Sequence, residues 1–180
     1  SFIRKRVAKN EFESYYLKHY EEIAWQAEKV TEQIERSGCR NLYERSIRER
    51  KMLHGDYNYH NLIMLRDDIA VTDFEHMHTD IQIKDFCYFL RKAMEKNQWK
   101  QKTGQKILEA YEEVRPLSER EKEFAALSLA YPGKFKKIAG SYYRSNKAHL
   151  SEKNVEKLQI CIRQTEEKYE FLSRIFPLNL

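Results

Sequence analysis

Glycine is scarce in this chain, and its glycines never cluster. Gly38, Gly55, Gly104, Gly133 and Gly140 stand apart from one another, so no glycine-rich loop is available whose backbone amides could cradle phosphates. There are only three prolines and no Gly/Ser-rich stretch, which argues against a linker or an internal domain boundary. Cys39, Cys87 and Cys161 are scattered and odd in number. They imply no disulfide framework and read as ordinary reduced thiols of an intracellular protein. No apolar run approaches the length of a membrane span. Ser1-Phe2-Ile3-Arg4-Lys5-Arg6 leads straight into polar sequence, without a signal-peptide pattern. Together these absences predict a cytoplasmic protein with no membrane partner.

What is present suits a single domain over residues 1–180. Hydrophobic residues make up 41% and charged residues 34% of the 180 positions. A chain of this length can bury roughly 70% of its unfolded surface, enough for one core. Most of it reads as helix. Phe12, Tyr16, Tyr20, Ile23, Ala27, Val30 and Ile34 recur at intervals of three and four, with Asn10 and Glu13 as a capping box and Gly38 as the stop. Everything before His54 is expected to be helical. Ile83, Phe86, Cys87, Leu90 and Ala93 form a second stripe. A third helix runs from about Gln101 to Val114, before Pro116. Ser118 with Glu121 opens a fourth, broken at Pro132-Gly133, and Phe135, Ile138, Ala139, Tyr142 and Tyr143 continue beyond the break. Val155, Leu158, Ile162, Tyr169, Leu172 and Phe176 mark the last.

The chemistry concentrates in His54-Gly55-Asp56-Tyr57-Asn58-Tyr59-His60-Asn61 and in Asp73-Phe74-Glu75. Between them lie two short apolar runs, 62–65 and 69–72, separated by Arg66-Asp67-Asp68, which predict a β-hairpin. Centring the turn between Asp67 and Asp68 sets Leu62 opposite Asp73 and Asn61 opposite Phe74. Asn61 and Asp73 then emerge at one end of the hairpin. An acid, an amide five residues on and a second acid after a hairpin suit Mg²⁺-dependent phosphoryl transfer. The first carboxylate orients a hydroxyl, while the amide and the second acid hold the metal against phosphates.

These residues also carry a resemblance. The HGDxxxxN pattern, the hairpin ending in Asp-Phe-Glu, and the helix start at Asp80–Arg91 resemble the aminoglycoside phosphotransferase and choline kinase-like branch of the protein-kinase-like fold. The aromatic and basic flavour of Tyr57-Asn58-Tyr59-His60 and Phe89-Leu90-Arg91-Lys92 is most similar to the spore-coat CotS-like kinases. The close match covers residues 50–95. It implies a mainly α (α+β) fold, the helical C-terminal lobe of the protein-kinase-like fold with a small catalytic β-hairpin. It also implies an ATP- and Mg²⁺-dependent phosphotransferase acting on a hydroxyl acceptor. Carried over residue by residue, Asp56 is the catalytic base, Asn61 and Asp73 are metal ligands, and Glu75 is a weaker third. His54 and Asp85 support the catalytic loop, Asp85 by accepting its backbone N–H groups. Tyr57, Tyr59, His60, His76 and His78 are placed to line the acceptor site.

The departures matter too. Gly55 stands where protein kinases carry the arginine that meets an activation-loop phosphate, so regulation of that kind is not expected. No strand with a nucleotide lysine precedes His54. The chain is therefore read as a C-terminal lobe without its N-terminal, nucleotide-covering lobe, with Ser1 near the junction between lobes and little turnover alone. The alternative is an inert kinase-fold protein of the spore coat, with coat proteins as partners. His60, His76 and His78 suggest zinc at first sight, but no cysteine joins them at zinc spacing. The net charge of +5 could attract nucleic acid or an acidic acceptor. Lys134, Lys136, Lys137, Arg144 and Lys147 form the densest cluster, but they alternate with aromatics at core spacing, so nucleic acid is not the expected partner.

Overall fold

The computed structural model describes residues 10–144 and 152–176. Ser1, and Lys147 of the basic cluster, lie outside the described residues. Asn10 opens α1 (Glu11–Arg36). Its side chain accepts the Glu13 N–H at 2.9 Å while the Glu13 carboxylate reaches back to the Asn10 N–H. The expected stop at Gly38 comes earlier. Ser37 is extended and its hydroxyl donates to the Ile34 carbonyl at 2.7 Å, so the helix ends at Arg36 and Gly38 becomes the N-cap of α2 (Cys39–Arg48).

The stretch before His54 is not wholly helical. A two-residue strand, β1 (Met52–Leu53), pairs antiparallel with β4 (His78–Thr79), Met52 opposite Thr79. Two residues are too few for alternation to show in a sequence. The hairpin of β2 (Leu62–Met64) and β3 (Ile69–Val71) forms with a different register from the one expected: Leu62 lies opposite Val71. The Leu65 N–H donates to the Asp68 carbonyl at 2.9 Å, so only Arg66-Asp67 forms the loop. A two-residue connection matches the natural twist of paired strands. The slip is of two residues, an even number, so every side chain keeps its face. Thr72 now pairs with Asn61, its N–H 3.0 Å from the Asn61 carbonyl, and Asp73 follows one step beyond.

Five more helices follow: α3 (Ile83–Lys96), α4 (Gln101–Val114), α5 (Glu119–Ala130), α6 (Gly133–Arg144) and α7 (Glu152–Ile175). Ser118 and Glu121 cap α5 reciprocally, and Pro132 separates it from α6. The main core lies where α3 meets α5 and α7. Ile83, Leu90 and Met94 are fully buried there, against Ala125, Ala126 and Leu172. The two alanines let the helices approach closely, and each large apolar side chain contributes about 1.5–3 kcal/mol on burial. Cys87 belongs to this core, and burial pushes its thiol up to about 12. It is an inert packing residue.

A second cluster joins α1, α6 and α7. Phe12 stacks on Tyr142 at 3.9 Å between ring centres and packs with Phe135, Ile138 and Leu158. Phe135 and Tyr142 from the basic stretch are therefore core, while Lys136, Lys137 and Arg144 are exposed. Tyr20, expected in the α1 stripe, is also exposed.

Gly104 marks the tightest helix contact. A Cβ there would lie 2.3 Å from Phe171 Cε2 and 2.9 Å from Met94 Cε, both side chains being buried. At Gly140 a Cβ would meet only the end of Arg144, at 3.6 Å. Gly104→Ala should destabilise by about 1–3 kcal/mol through overpacking, outweighing the gain in helix propensity. Gly140→Ala should be neutral or stabilising by about 0.5–1 kcal/mol. Thermal denaturation of the two variants decides, and equal melting temperatures would contradict the packing described.

Candidate active site

The β1 strand delivers the chain into a loop pinned on three sides. Asp85, in the first turn of α3, accepts the His54 N–H at 2.6 Å and the Gly55 N–H at 3.0 Å. The His54 ring is buried, and its two nitrogens have opposite roles. The Asp56 N–H can only donate, so Nδ1, 3.2 Å away, must accept. Nε2 therefore carries the proton and donates to the Thr72 carbonyl at 2.8 Å. One imidazole thus ties the loop to the end of the hairpin. Gly55 has φ +82°, and a Cβ on it would stand 2.2 Å from the His76 carbonyl oxygen. Only glycine allows that backbone conformation beside the 74–78 segment.

Beyond Gly55, two asparagines shape the loop around Asp56. Asn58 is buried. Its amide donates to the Asp56 carbonyl at 2.9 Å and its oxygen accepts the His60 N–H at 3.0 Å, capping a short 3₁₀ turn over Tyr59–Asn61. Asn61 is buried too, and its Nδ2 donates to both the carbonyl (2.9 Å) and the carboxylate (3.1 Å) of Asp56. With Nδ2 spent, Oδ1 is the group Asn61 has left to offer. Asp73 stands just past the β2–β3 pair in a left-handed conformation, φ 72° and ψ 51°, which aspartate tolerates better than most residues. Its carboxylate is exposed and has no protein partner among the described residues.

A residue absent from the sequence reading completes the environment of Asp56. The Tyr88 hydroxyl lies beside its carboxylate and helps to hold it ionised. Burial works to raise the Asp56 carboxyl. Hydrogen bonds from Tyr88 and Asn61, the neighbouring His76 and a bond from Asn58 outweigh it and hold the group below the ordinary carboxylate value. Burial and the adjacent Asp56 charge push the Tyr88 phenol upward, which keeps it a donor. Tyr88 follows Asp85 by three residues, so one face of α3 meets both the backbone and the acid of the loop. That spacing was the available signal.

The other expected residues divide. Tyr57 is half-buried, with its ring 5.7 Å from Phe89 and 6.0 Å from His54, and acts as packing for the loop. Tyr59 lies against His60 at 4.3 Å and under the Lys96 ammonium at 4.7 Å. His76 is exposed and pairs with Glu75 at 3.5 Å. Glu75 thus sits with His76 in the open. The His78 ring donates from Nδ1 to the His76 carbonyl at 2.7 Å and lies 3.7 Å from Asp80, so β4 holds it in place. No group of three His, Cys, Asp or Glu side chains among the described residues could hold a metal alone. An open cleft of about 800 Å³, with mainly apolar walls, runs from Tyr57 and Asp85 between α3 and α4.

A family profile described as "Spore coat putative kinase YutH" matches residues 56–175, from the loop acid to the end of α7. The chain belongs to this spore coat YutH family. Among solved structures it is similar to an aminoglycoside phosphotransferase from Alicyclobacillus acidocaldarius, with a TM-score of 0.86 and 18% identity. That superposition takes in 96% of this chain and 52% of the phosphotransferase, so this YutH-family chain spans about half its length. No curated protein gives a match. At such low identity the likeness carries the fold alone: mainly α and kinase-like.

The influence of Tyr88 on Asp56 is open to a direct check in this YutH-family site. Tyr88→Phe should raise the Asp56 carboxyl, followed by carbon-detected NMR titration. The folded group titrates below its unfolded counterpart. Its contribution to stability is therefore full above the unfolded value and is lost as pH falls through the folded one. The variant should narrow that acid-labile window. An unmoved Asp56 titration would remove Tyr88 from the site.

Proposed function

We propose that this chain is the C-terminal catalytic lobe of an ATP- and Mg²⁺-dependent phosphotransferase that transfers the γ-phosphoryl group to a hydroxyl acceptor. One observation carries the reading. Asp56 is oriented by Asn61, which with Tyr88 holds its carboxyl low, while the Asn61 oxygen and the unpartnered Asp73 carboxylate remain uncommitted at the same end of the hairpin. A structural loop has no need to leave those two oxygens unused.

Asp56 receives the hydrogen bond of the acceptor hydroxyl and turns its oxygen toward phosphorus. Because its carboxyl is held low, it is a weak base toward a ground-state alcohol. It takes the proton late, as the new P–O bond forms and the bond to the leaving ADP oxygen breaks. Asn61 does two jobs, fixing Asp56 through Nδ2 and presenting Oδ1. Asp73 and Asn61 supply two oxygens, a set that suits Mg²⁺, which supplies charge neutralisation at the phosphates when bound. Glu75, paired with His76, stands outside that pair of ligands. Tyr57 and His54 hold the loop, and Tyr59, His60 and His76 border the acceptor side. The nucleotide cover is assigned to an N-terminal lobe outside these residues.

The family description supports a second reading, a kinase-fold component of the spore coat with coat proteins as partners and no dependence on catalysis. A Mn·ATP titration followed by water-proton relaxation separates the two, run on the longest form the reading frame encodes. Asp73→Asn should abolish metal-dependent nucleotide binding. Asp56→Asn should spare binding and lower ATP turnover by about 10²–10⁴-fold. Equal binding by wild type and Asp73→Asn would sink the catalytic reading in favour of the structural one.

A further inference from the structure

The face of α3 that reaches Asp56 through Tyr88 continues as a row of cations. The Arg91 guanidinium lies 5.1 Å from the centre of the Tyr88 ring and the Lys92 ammonium 5.7 Å from it. Arg91 also lines a small cavity between α3, α1, α6 and α7, together with Glu95, Lys134, Lys168 and Gln26. Three cations face one acid there, and the acid is fully engaged. Glu95 takes Arg91 on Oε1 at 2.9 Å and Lys134 on Oε2 at 3.1 Å. Lys168 has no carboxylate: its ammonium donates to the Ala130 carbonyl at 3.0 Å and lies 4.8 Å from the Tyr169 ring. Lys168 is partly exposed as a residue, yet desolvation pushes its ammonium down to about 8. The Gln26 amide oxygen is buried without a donor, so that amide gains by turning its NH₂ toward an incoming anion.

We propose that the acceptor carries an anionic group, a phosphate or carboxylate, which enters the cavity framed by Arg91, Lys134 and Lys168 while its hydroxyl lies at Asp56. The cavity of about 40 Å³ has room for about three water molecules, the size of such a headgroup. Tyr88 joins the two places, its hydroxyl beside Asp56 and its ring under Arg91. Arg91 and Asp56 thus flank one tyrosine side chain. That proximity suits a hydroxyl and an anion at opposite ends of one small molecule such as a sugar phosphate. Inside the cavity a cationic acceptor would meet Arg91, Lys134 and Lys168, with Glu95, already paired twice, as the acid among the lining residues. The position of the hydroxyl rests on the phosphotransferase reading, whereas capture of the anion does not.

The test compares one ring in three charge states. Glucose 6-phosphate, glucose and glucosamine are titrated calorimetrically into the chain without nucleotide, at pH 7 and constant ionic strength, with inorganic phosphate as a fourth probe. Glucose 6-phosphate should bind at least about tenfold more tightly than either other sugar, and phosphate should compete with it. Lys134→Gln combined with Lys168→Met should lose at least about tenfold in that affinity with circular dichroism unchanged. Equal binding of the three sugars, preference for glucosamine, or no binding of either phosphate probe to about 10 mM would overturn the proposal. Should the double variant misfold, the wild-type comparison decides alone. Mn·ATP binding without anion binding defeats only this inference. Anion binding with nucleotide binding unaffected by Asp73→Asn defeats instead the catalytic reading on which the hydroxyl placement rests.

Discussion

The carboxylate of Asp85 accepts two consecutive backbone N–H groups, from His54 and Gly55, and through them α3 fixes the loop that carries Asp56. A charged acceptor on two amides is among the stronger hydrogen-bonding arrangements in a protein. It also sits where α3 enters the main core at Ile83 and Phe86, so the loop is tied to a helix packed into that core. The remaining ties follow from that anchor. With His54 held by its backbone, its ring reaches Thr72 and locks the hairpin end. With Gly55 held, the 74–78 segment can close over it. Asp56 then lies within reach of Asn61 on one side and Tyr88 on the other.

This arrangement makes α3 both the foundation and one wall of the proposed site. Its first turn grips the loop, its second supplies the Tyr88 hydroxyl, and its third and fourth carry Arg91, Lys92, Glu95 and Lys96. Spacings of three and four put these groups on neighbouring faces of one helix, so charge is presented in line with the acid rather than scattered. The positive net charge of the chain thus acquires an address. The aromatic-rich basic stretch that stood out in the sequence is largely core and wet surface. The cations beside the site come from α3, from Lys134 and from Lys168, thirty-four residues apart on α6 and α7.

The sequence carried most of the helices, because capping and apolar spacing are local. Asn10 with Glu13, Ser118 with Glu121, and the break at Pro132 all mark boundaries that short-range hydrogen bonds enforce. Where it misplaced a feature, a weak local preference lost to a better bond. Ser37 ended α1 before Gly38 because its hydroxyl found the Ile34 carbonyl. The hairpin closed two residues short of the expected register because a two-residue loop lets Leu65 bond to Asp68. The strands β1 and β4 left no trace, since their pairing joins segments twenty-five residues apart and spans two residues each.

For the site, the spacing of Asp56, Asn61, Asp73 and Asp85 was written in the sequence. Those are properties of one loop and one hairpin, where chain connectivity alone limits the distances. Tertiary structure decided the rest. Tyr88 comes beside Asp56, the protonated Nε2 of His54 meets the Thr72 carbonyl, and Lys168 stands among Arg91, Lys134 and Glu95 without an ion pair to Glu95. Each of these depends on how helices distant in sequence pack, and the packing follows from the summed burial of many apolar side chains. No local pattern encodes that sum.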